Sequence, residues 1–187
     1  MEALRRLLFL GLGILFFLAG FARADSVALA EDSSGAVPLY KITGVFAVPA
    51  TRAQVWEVLT DYSALKGVVS SVQASCVLSR EGSTVLVEQV AQGRFLFFKK
   101  SFRLLLNVKE QPQTGLLFNG FAGQPFKVYR GSWNLDEEGG QVIVTYRLDV
   151  SQGDMAPRFI ERGLFKDNAA SLMQELKAEI GRRAGLK

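Results

Sequence analysis

The segment that most constrains this chain is its last amphipathic stretch, residues 157–183, PRFIERGLFKDNAASLMQELKAEIGRR. Apolar residues recur at Ile160, Leu164, Phe165, Ala169, Leu172, Met173, Leu176 and Ile180. Steps of three and four put them in one stripe on a helix. Glu161, Lys166, Asp167, Glu175, Lys177 and Arg182 take the opposite face. Pro157 suits a first helical turn, where its missing N–H costs nothing. Gly163 is the weak point, costing about 1 kcal/mol against Ala in a helix interior. Read as one helix, the stretch is roughly 40 Å long at 1.5 Å per residue. A one-sided rod of this length must lie on an apolar surface.

The residues before it read as that surface. Leu39–Val48 alternates loosely as a first strand, and Pro49 ends it. Thr51 to Gln54 is a capping box opening a helix with Val55, Trp56, Val58 and Leu59 on its inner side. Asp61-Tyr62-Ser63 starts a second short helix through about Lys66. Strands follow at Val72–Leu78 and at Thr84–Gln92, the latter broken at Gly93. After the apolar patch Phe95–Phe98, strands run from Phe102 to Val108, Gly115 to Phe121, Phe126 to Leu135 and Gln141 to Val150. Consecutive strands with short connections favour an antiparallel meander. A twisted sheet of that size curls, and the long helix is the cover for its concave face. A gap between helix and curled sheet is a natural apolar cavity.

The first 24 residues stand apart. Arg5 and Arg6 precede an uncharged apolar run, and Ala22-Arg23-Ala24 supplies a small-x-small cleavage site before Asp25. That order reads as a secretory signal peptide over residues 1–24, and Ala28-Leu29-Ala30 is a second such site. The other reading is a retained anchor, although Leu7–Ala22 falls short of the ~20 residues of a spanning helix. Residues 25–36 are small and polar and read as a flexible leader, leaving 37–187 as the domain. Localisation is then periplasmic or secreted.

Cleavage would remove Arg5, Arg6, Arg23 and Glu2, taking the net charge from +4 to +2. That is too mild to argue for nucleic acid. Cys76 is the single cysteine, so no internal disulfide forms, and its small and β-branched neighbours suggest a buried filler. The chain has no histidine, which removes Ser-His-Asp and Cys-His catalysis and His-based zinc sites. Asp136-Glu137-Glu138 precedes Gly139-Gly140 and reads as a solvated hairpin turn. No metal or cofactor is expected.

Several segments carry a resemblance. Val48-Pro49-Ala50-Thr51, Val55-Trp56-Glu57-Val58-Leu59 and Asp61-Tyr62 are one group. Gly120-Phe121 through Phe126, Gly131-Ser132-Trp133-Asn134-Leu135 and Val144-Thr145-Tyr146-Arg147-Leu148 are another, with Pro157 opening the last helix. Together they resemble the START-like (Bet v 1-like, SRPBCC) superfamily, closest to the coenzyme Q-binding START-domain or polyketide cyclase/dehydrase family. The resemblance covers roughly residues 40 to 183. It implies an α+β helix-grip fold: a curved antiparallel sheet wrapped around a long C-terminal helix, with two short helices after the first strand. It also implies a hydrophobic small molecule or lipid, quinone- or isoprenoid-like, as the partner in the cavity. The chain departs from the family at Ser63–Val68, where an aromatic and a proline are usual. That points to a different cavity mouth there.

The expected ligand-binding set is Phe95, Phe97, Phe102, Leu104, Phe118, Tyr129, Arg130, Trp133, Tyr146, Phe165 and Ala169. Phe102, Phe118, Trp133 and Tyr146 lie on late strands that would face the helix, as core or as cavity wall. Arg130 is in phase with Phe126 and Val128, while Trp133 has the opposite parity, so both face the cavity only if a bulge intervenes. The run Phe95–Phe98 is either a strand buried on both faces or a lip that meets a membrane or a partner, with Arg94, Lys99 and Lys100 near lipid headgroups. A cyclase- or hydratase-like enzyme would have to use Glu88, Tyr129, Tyr146 or Arg130 for acid–base chemistry. No pair of these has a spacing that marks a site, and no catalytic residue is assigned. A third expectation is a ligand-free envelope interaction module.

Overall fold

The computed structural model describes residues 25–95, 98–121, 125–153 and 162–186. The candidate export segment 1–24, Leu96 and Phe97, and Pro157 lie outside the described residues. Strands β1 (Ser26–Asp32) and β2 (Leu39–Val48) come first, then helices α1 (Arg52–Thr60) and α2 (Leu65–Val68). Strands β3 (Val72–Glu81), β4 (Thr84–Phe95), β5 (Phe98–Gln111), β6 (Gly115–Gly120), β7 (Phe126–Glu138) and β8 (Gln141–Gln152) follow, and α3 (Arg162–Arg183) ends the chain.

The strands form one eight-stranded sheet in the order β1-β2-β8-β7-β6-β5-β4-β3. Every pairing is antiparallel. The meander expected from the short connections is therefore β3 to β8, with β2 returning beside β8. Turn chemistry fixes its register. At the β7–β8 hairpin, Gly139 and Gly140 take φ of 57° and 77° between the paired Glu138 and Gln141. Positive φ at both central residues is the type I′ requirement, which glycine meets without strain. β4 runs through Gly93 to Phe95, which pairs with Phe98 on β5.

Two expectations are corrected along the edges. Ser26–Asp32, read as part of a flexible leader, is strand β1 in a continuous ladder with β2. Backbone hydrogen bonds hold it, with Val27 and Leu29 packed on the core, so it needs little apolar patterning. Asp25 just before it accepts hydrogen bonds from Lys177 Nζ at 2.7 and 2.9 Å. Cys76, expected as a buried filler, is exposed. It sits on edge strand β3, whose register shifts at both flanks and where only Ser75 is buried.

α3 lies across β2, β1 and α1. Ala169, Met173, Leu176 and Ile180 on its stripe are buried, and Phe165 and Leu172 are half-buried. Gly44 makes the approach possible: a Cβ there would collide with the Met173 thioether. Thr51 and Gln54 form the expected capping box on α1. At its far end α3 is fastened to α1 by Arg183, whose Nη2 lies 3.0 Å from Asp61 and whose Nε lies 2.7 Å from Glu179. Hydrogen bonds from Arg182 and then Arg183 hold the Glu179 carboxyl down at about 2.

α3 closes with a Schellman motif. Leu186 N–H bonds to Gly181 C=O, Gly185 N–H bonds to Arg182 C=O, and Gly185 has φ of 70°. Gly181 itself has room, since its nearest neighbour to an added methyl is Leu186 Cβ at 4.0 Å. Gly181→Ala is therefore expected to stabilise the protein by about 0.5–1 kcal/mol, the helix-interior difference between the two residues. Urea denaturation checks this, and a loss of stability would mean that the end of α3 is packed differently.

A cavity between the sheet, the early helices and α3

The inner face of the sheet, α1–α2 and α3 line a cavity with two lobes. The first, about 160 Å³, is walled by Val87, Gln89, Leu104, Leu106, Phe118, Trp133 and Tyr146 from the sheet, by Leu59, Tyr62 and Leu65 from the α1–α2 region, and by Leu172 and Leu176. The second, about 120 Å³, is walled by Phe102, Phe126, Leu148, Leu164, Phe165, Asn168 and Ala169 among others. Both include Ser71, Ala91, Leu104, Tyr129, Tyr146 and Leu172, so the lobes meet. Each is far larger than the ~10–15 Å³ that admits one water. The chain leaves β4, β6 and β8 at one end of the sheet, the end of the second lobe.

Alternation puts these side chains inside. In β5, Leu104, Leu106 and Val108 are buried, and in β8 so are Val142, Val144, Tyr146, Leu148 and Val150. Aromatic rings pack against one another along the wall and beside it, in stacked, tilted and edge-to-face pairs. Trp133 and Tyr146 have centroids 4.4 Å apart, Phe126 and Tyr129 5.3 Å, Phe102 and Phe126 5.5 Å, and Tyr40 and Phe165 5.2 Å. Offset and edge contacts at these separations are the favoured aromatic geometries. Gly131 leaves the space that the Phe118 ring fills: a Cβ there would meet Phe118 Cζ and the Arg147 carbonyl.

Of the residues expected at the ligand, Phe102, Leu104, Phe118, Tyr129, Trp133, Tyr146, Phe165 and Ala169 stand on the cavity wall. Arg130 does not, which corrects that expectation. A register shift between Phe126 and Val128 resets the parity of β7, so Phe126, Tyr129 and Trp133 face inward. Arg130 points out, its side chain 61% exposed and its Nη2 3.1 Å from Asp149. Glu88 is likewise on the outer face, 3.1 Å from Arg103. The backbone of Phe95 and Phe98 ends the β4–β5 ladder, but their side chains and all of Phe97 lie outside the described residues.

The sequence reading missed the wall formed by Leu59, Tyr62, Leu65 and Val69, and the carboxylate behind it. Tyr62 donates its hydroxyl to Glu110 Oε1 at 2.9 Å. Arg80 donates to the same carboxylate with both Nη atoms, at 2.6 and 3.1 Å. Glu110 is only 9% exposed, and this fork satisfies its charge. The Asp61-Tyr62 motif was the only hint, and it does not name the partners.

The remaining cavity polarity is neutral. Burial pushes the Tyr129 hydroxyl up to about 12. Burial, with Tyr129 nearby, pushes Tyr146 up well beyond its ordinary value. Burial and then the bond to Glu110 raise Tyr62, with Arg80 opposing. All three phenols thus stay protonated at neutral pH. A raised native value means that stability is complete below about pH 10 and is lost as pH climbs through the native value; for Tyr129 alone that is about 2–3 kcal/mol, gone by about pH 12. Tyrosinate absorbance should therefore show these three rings ionising together with alkaline unfolding. Free titration near pH 10 in the folded protein would contradict their burial. Among the described residues no group of His, Cys, Asp and Glu is placed to hold a metal.

Comparison with known proteins places this architecture. No curated protein matches the chain. Solved structures do. The Zhui aromatase/cyclase from Streptomyces sp. R1128 superposes with a TM-score of 0.67 at 13% identity, over 78% of this chain and 95% of that one. The STAR-related lipid transfer protein from Xanthomonas axonopodis (fragment 25–204) gives 0.60 at 16% identity, over 82% and 98%. A START superfamily protein from Mycobacterium smegmatis gives 0.64 at 13% identity, over 76% and 97%. At these identities the likeness is one of fold, the helix-grip fold. The sequence profile described as polyketide cyclase/dehydrase and lipid transport matches residues 48–176, which is most of the chain. By fold and by sequence, the chain belongs to the polyketide cyclase/dehydrase and lipid transport family of the START-like superfamily.

Proposed function

We propose that this protein binds a hydrophobic small molecule or lipid in the two-lobed cavity. The observation that carries the reading is the wall itself: apolar and aromatic side chains from sheet and helices surround space that no side chain fills. Binding would remove ligand surface from water at roughly 25 cal/mol per Å². A quinone or other isoprenoid is the ligand that the resemblance implies. Export fits the ordered β1: cleavage after Ala24 keeps the whole strand and the Asp25–Lys177 pair, whereas cleavage after Ala30 would remove most of the strand and all of the pair. Phe95–Phe98 is the segment we propose meets a membrane during loading, since the paired backbones of Phe95 and Phe98 lie at the same end of the sheet as the second lobe.

The enzyme reading is weaker on one count. The titratable groups on the described wall are tyrosines held protonated, so they can donate hydrogen bonds but not accept a proton at neutral pH. Native mass spectrometry of protein purified from its own host, with extraction of bound lipid, tests the binding reading. A copurifying apolar molecule supports it. An empty protein that also takes up no apolar probe would leave a ligand-free interaction module as the better account. The same spectra report the N-terminus: a start at Asp25 is expected, and an intact Met1 on membrane-extracted protein would show retention as an anchor.

A further inference from the structure

We propose that the ligand is an uncharged molecule with one carbonyl-type hydrogen-bond acceptor between two apolar parts, and that Tyr129 and Tyr146 hold that acceptor. This rests on the cavity-binding reading above and narrows it. Tyr129 and Tyr146 wall both lobes, so they stand where the lobes meet. Tyr146 is only 4% exposed, yet neither hydroxyl has a hydrogen-bond partner among the described residues. Nor is either sealed: the one buried side-chain polar atom without a partner among those residues is Arg52 Nε. The two phenol oxygens therefore open on the cavity, where an apolar body alone would leave them unpaired at a cost of about 1–3 kcal/mol each. Both are donors at neutral pH, and a carbonyl oxygen offers two lone pairs to receive them.

Charge settles the rest. The described walls of both lobes contain no Asp, Glu, Lys or Arg. The ion pair behind Tyr62, half-exposed Arg80 with buried Glu110, is already bidentate and capped by the Tyr62 hydroxyl. An ionised carboxylate or phosphate in this cavity would have no counter-charge, and burying an unpaired charge is far costlier than burying a neutral polar group. Ser71, Gln89, Gln92 and Asn168 add only neutral polarity.

The test is displacement of a neutral fluorescent dye by three probes of equal chain length at neutral pH: a long-chain ketone with its carbonyl at mid-chain, the alkane and the carboxylate. The ketone is expected to bind about tenfold tighter than the alkane, as one or two net hydrogen bonds would give. The carboxylate should be at least about tenfold weaker than the ketone. Replacing both hydroxyls, Tyr129→Phe with Tyr146→Phe, should bring the ketone to within about twofold of the alkane. Since neither oxygen has a protein partner, the melting temperature should hold. If the double variant does not fold, the wild-type ranking still decides. A carboxylate that equals the ketone overturns the proposal, as does a variant that keeps the ketone preference or that loses ketone and alkane alike. Failure of all three probes together with the dye would instead bring down the binding reading itself, and this proposal with it.

Discussion

Phe46→Ala is expected to destabilise the protein by about 3–5 kcal/mol, the range for a buried Phe cut to Ala. Phe46 is 1% exposed and is among the largest fully buried side chains. It lies on the same face of β2 as Gly44, the face that α3 covers, and it does not border the cavity. Its removal therefore opens a new void in close-packed core, and the cavity cost adds to the transfer cost. Leu176→Ala makes the informative contrast. Leu176 is equally buried, but it already walls the first lobe. Its lost volume joins space that exists, so the cost should sit near 2 kcal/mol, the low end for Leu to Ala. Urea denaturation measures both. Equal losses would mean that the first lobe is filled by repacking in solution. A loss within ±0.5 kcal/mol for Phe46→Ala, as expected of surface positions, would mean that α3 is not docked on β2.

What the sequence made legible was periodic. The α3 stripe, the capping box at Thr51 and the alternation of β5 and β8 each state which residues face the core, and the structure has them there. β1 was illegible because a strand held mainly by backbone bonds to one neighbour leaves no strong hydrophobic period. Cys76 was misread because composition does not tell an edge strand from a central one.

The site was legible in its residue types and not in its joints. Trp133, Tyr146 and Phe118 were read correctly as inward-facing. Arg130 was not, because one bulge between Phe126 and Val128 reverses the face of every later residue in β7 and carries no composition signal. The Tyr62–Glu110–Arg80 cluster joins residues 48 and 30 positions apart, which no local pattern reports. The early-helix wall escaped because its residues looked like ordinary helix core. That wall means the cavity is bordered by α1–α2 as well as α3.

The second large effect concerns uptake. Ala91→Phe is expected to abolish binding of an apolar probe while leaving the melting temperature nearly unchanged. Ala91 is a small residue that walls both lobes, so a ring placed there blocks the passage between them. Its β4 site suits an aromatic residue, and Phe102 lies directly across on β5, where aromatic cross-strand pairs are favourable by about 0.2–1 kcal/mol. In packed core the same enlargement would cost about 1–3 kcal/mol. Ala169→Phe is the control. Ala169 is 4% exposed and borders only the second lobe, so it should weaken uptake without ending it. The two variants separate one continuous cavity from two independent ones. If Ala91→Phe lost several kcal/mol and still took up the probe, Ala91 would sit in solid core. If Ala169→Phe abolished uptake and Ala91→Phe did not, the second lobe alone would be the binding site, and the first lobe would be a packing defect behind Tyr62.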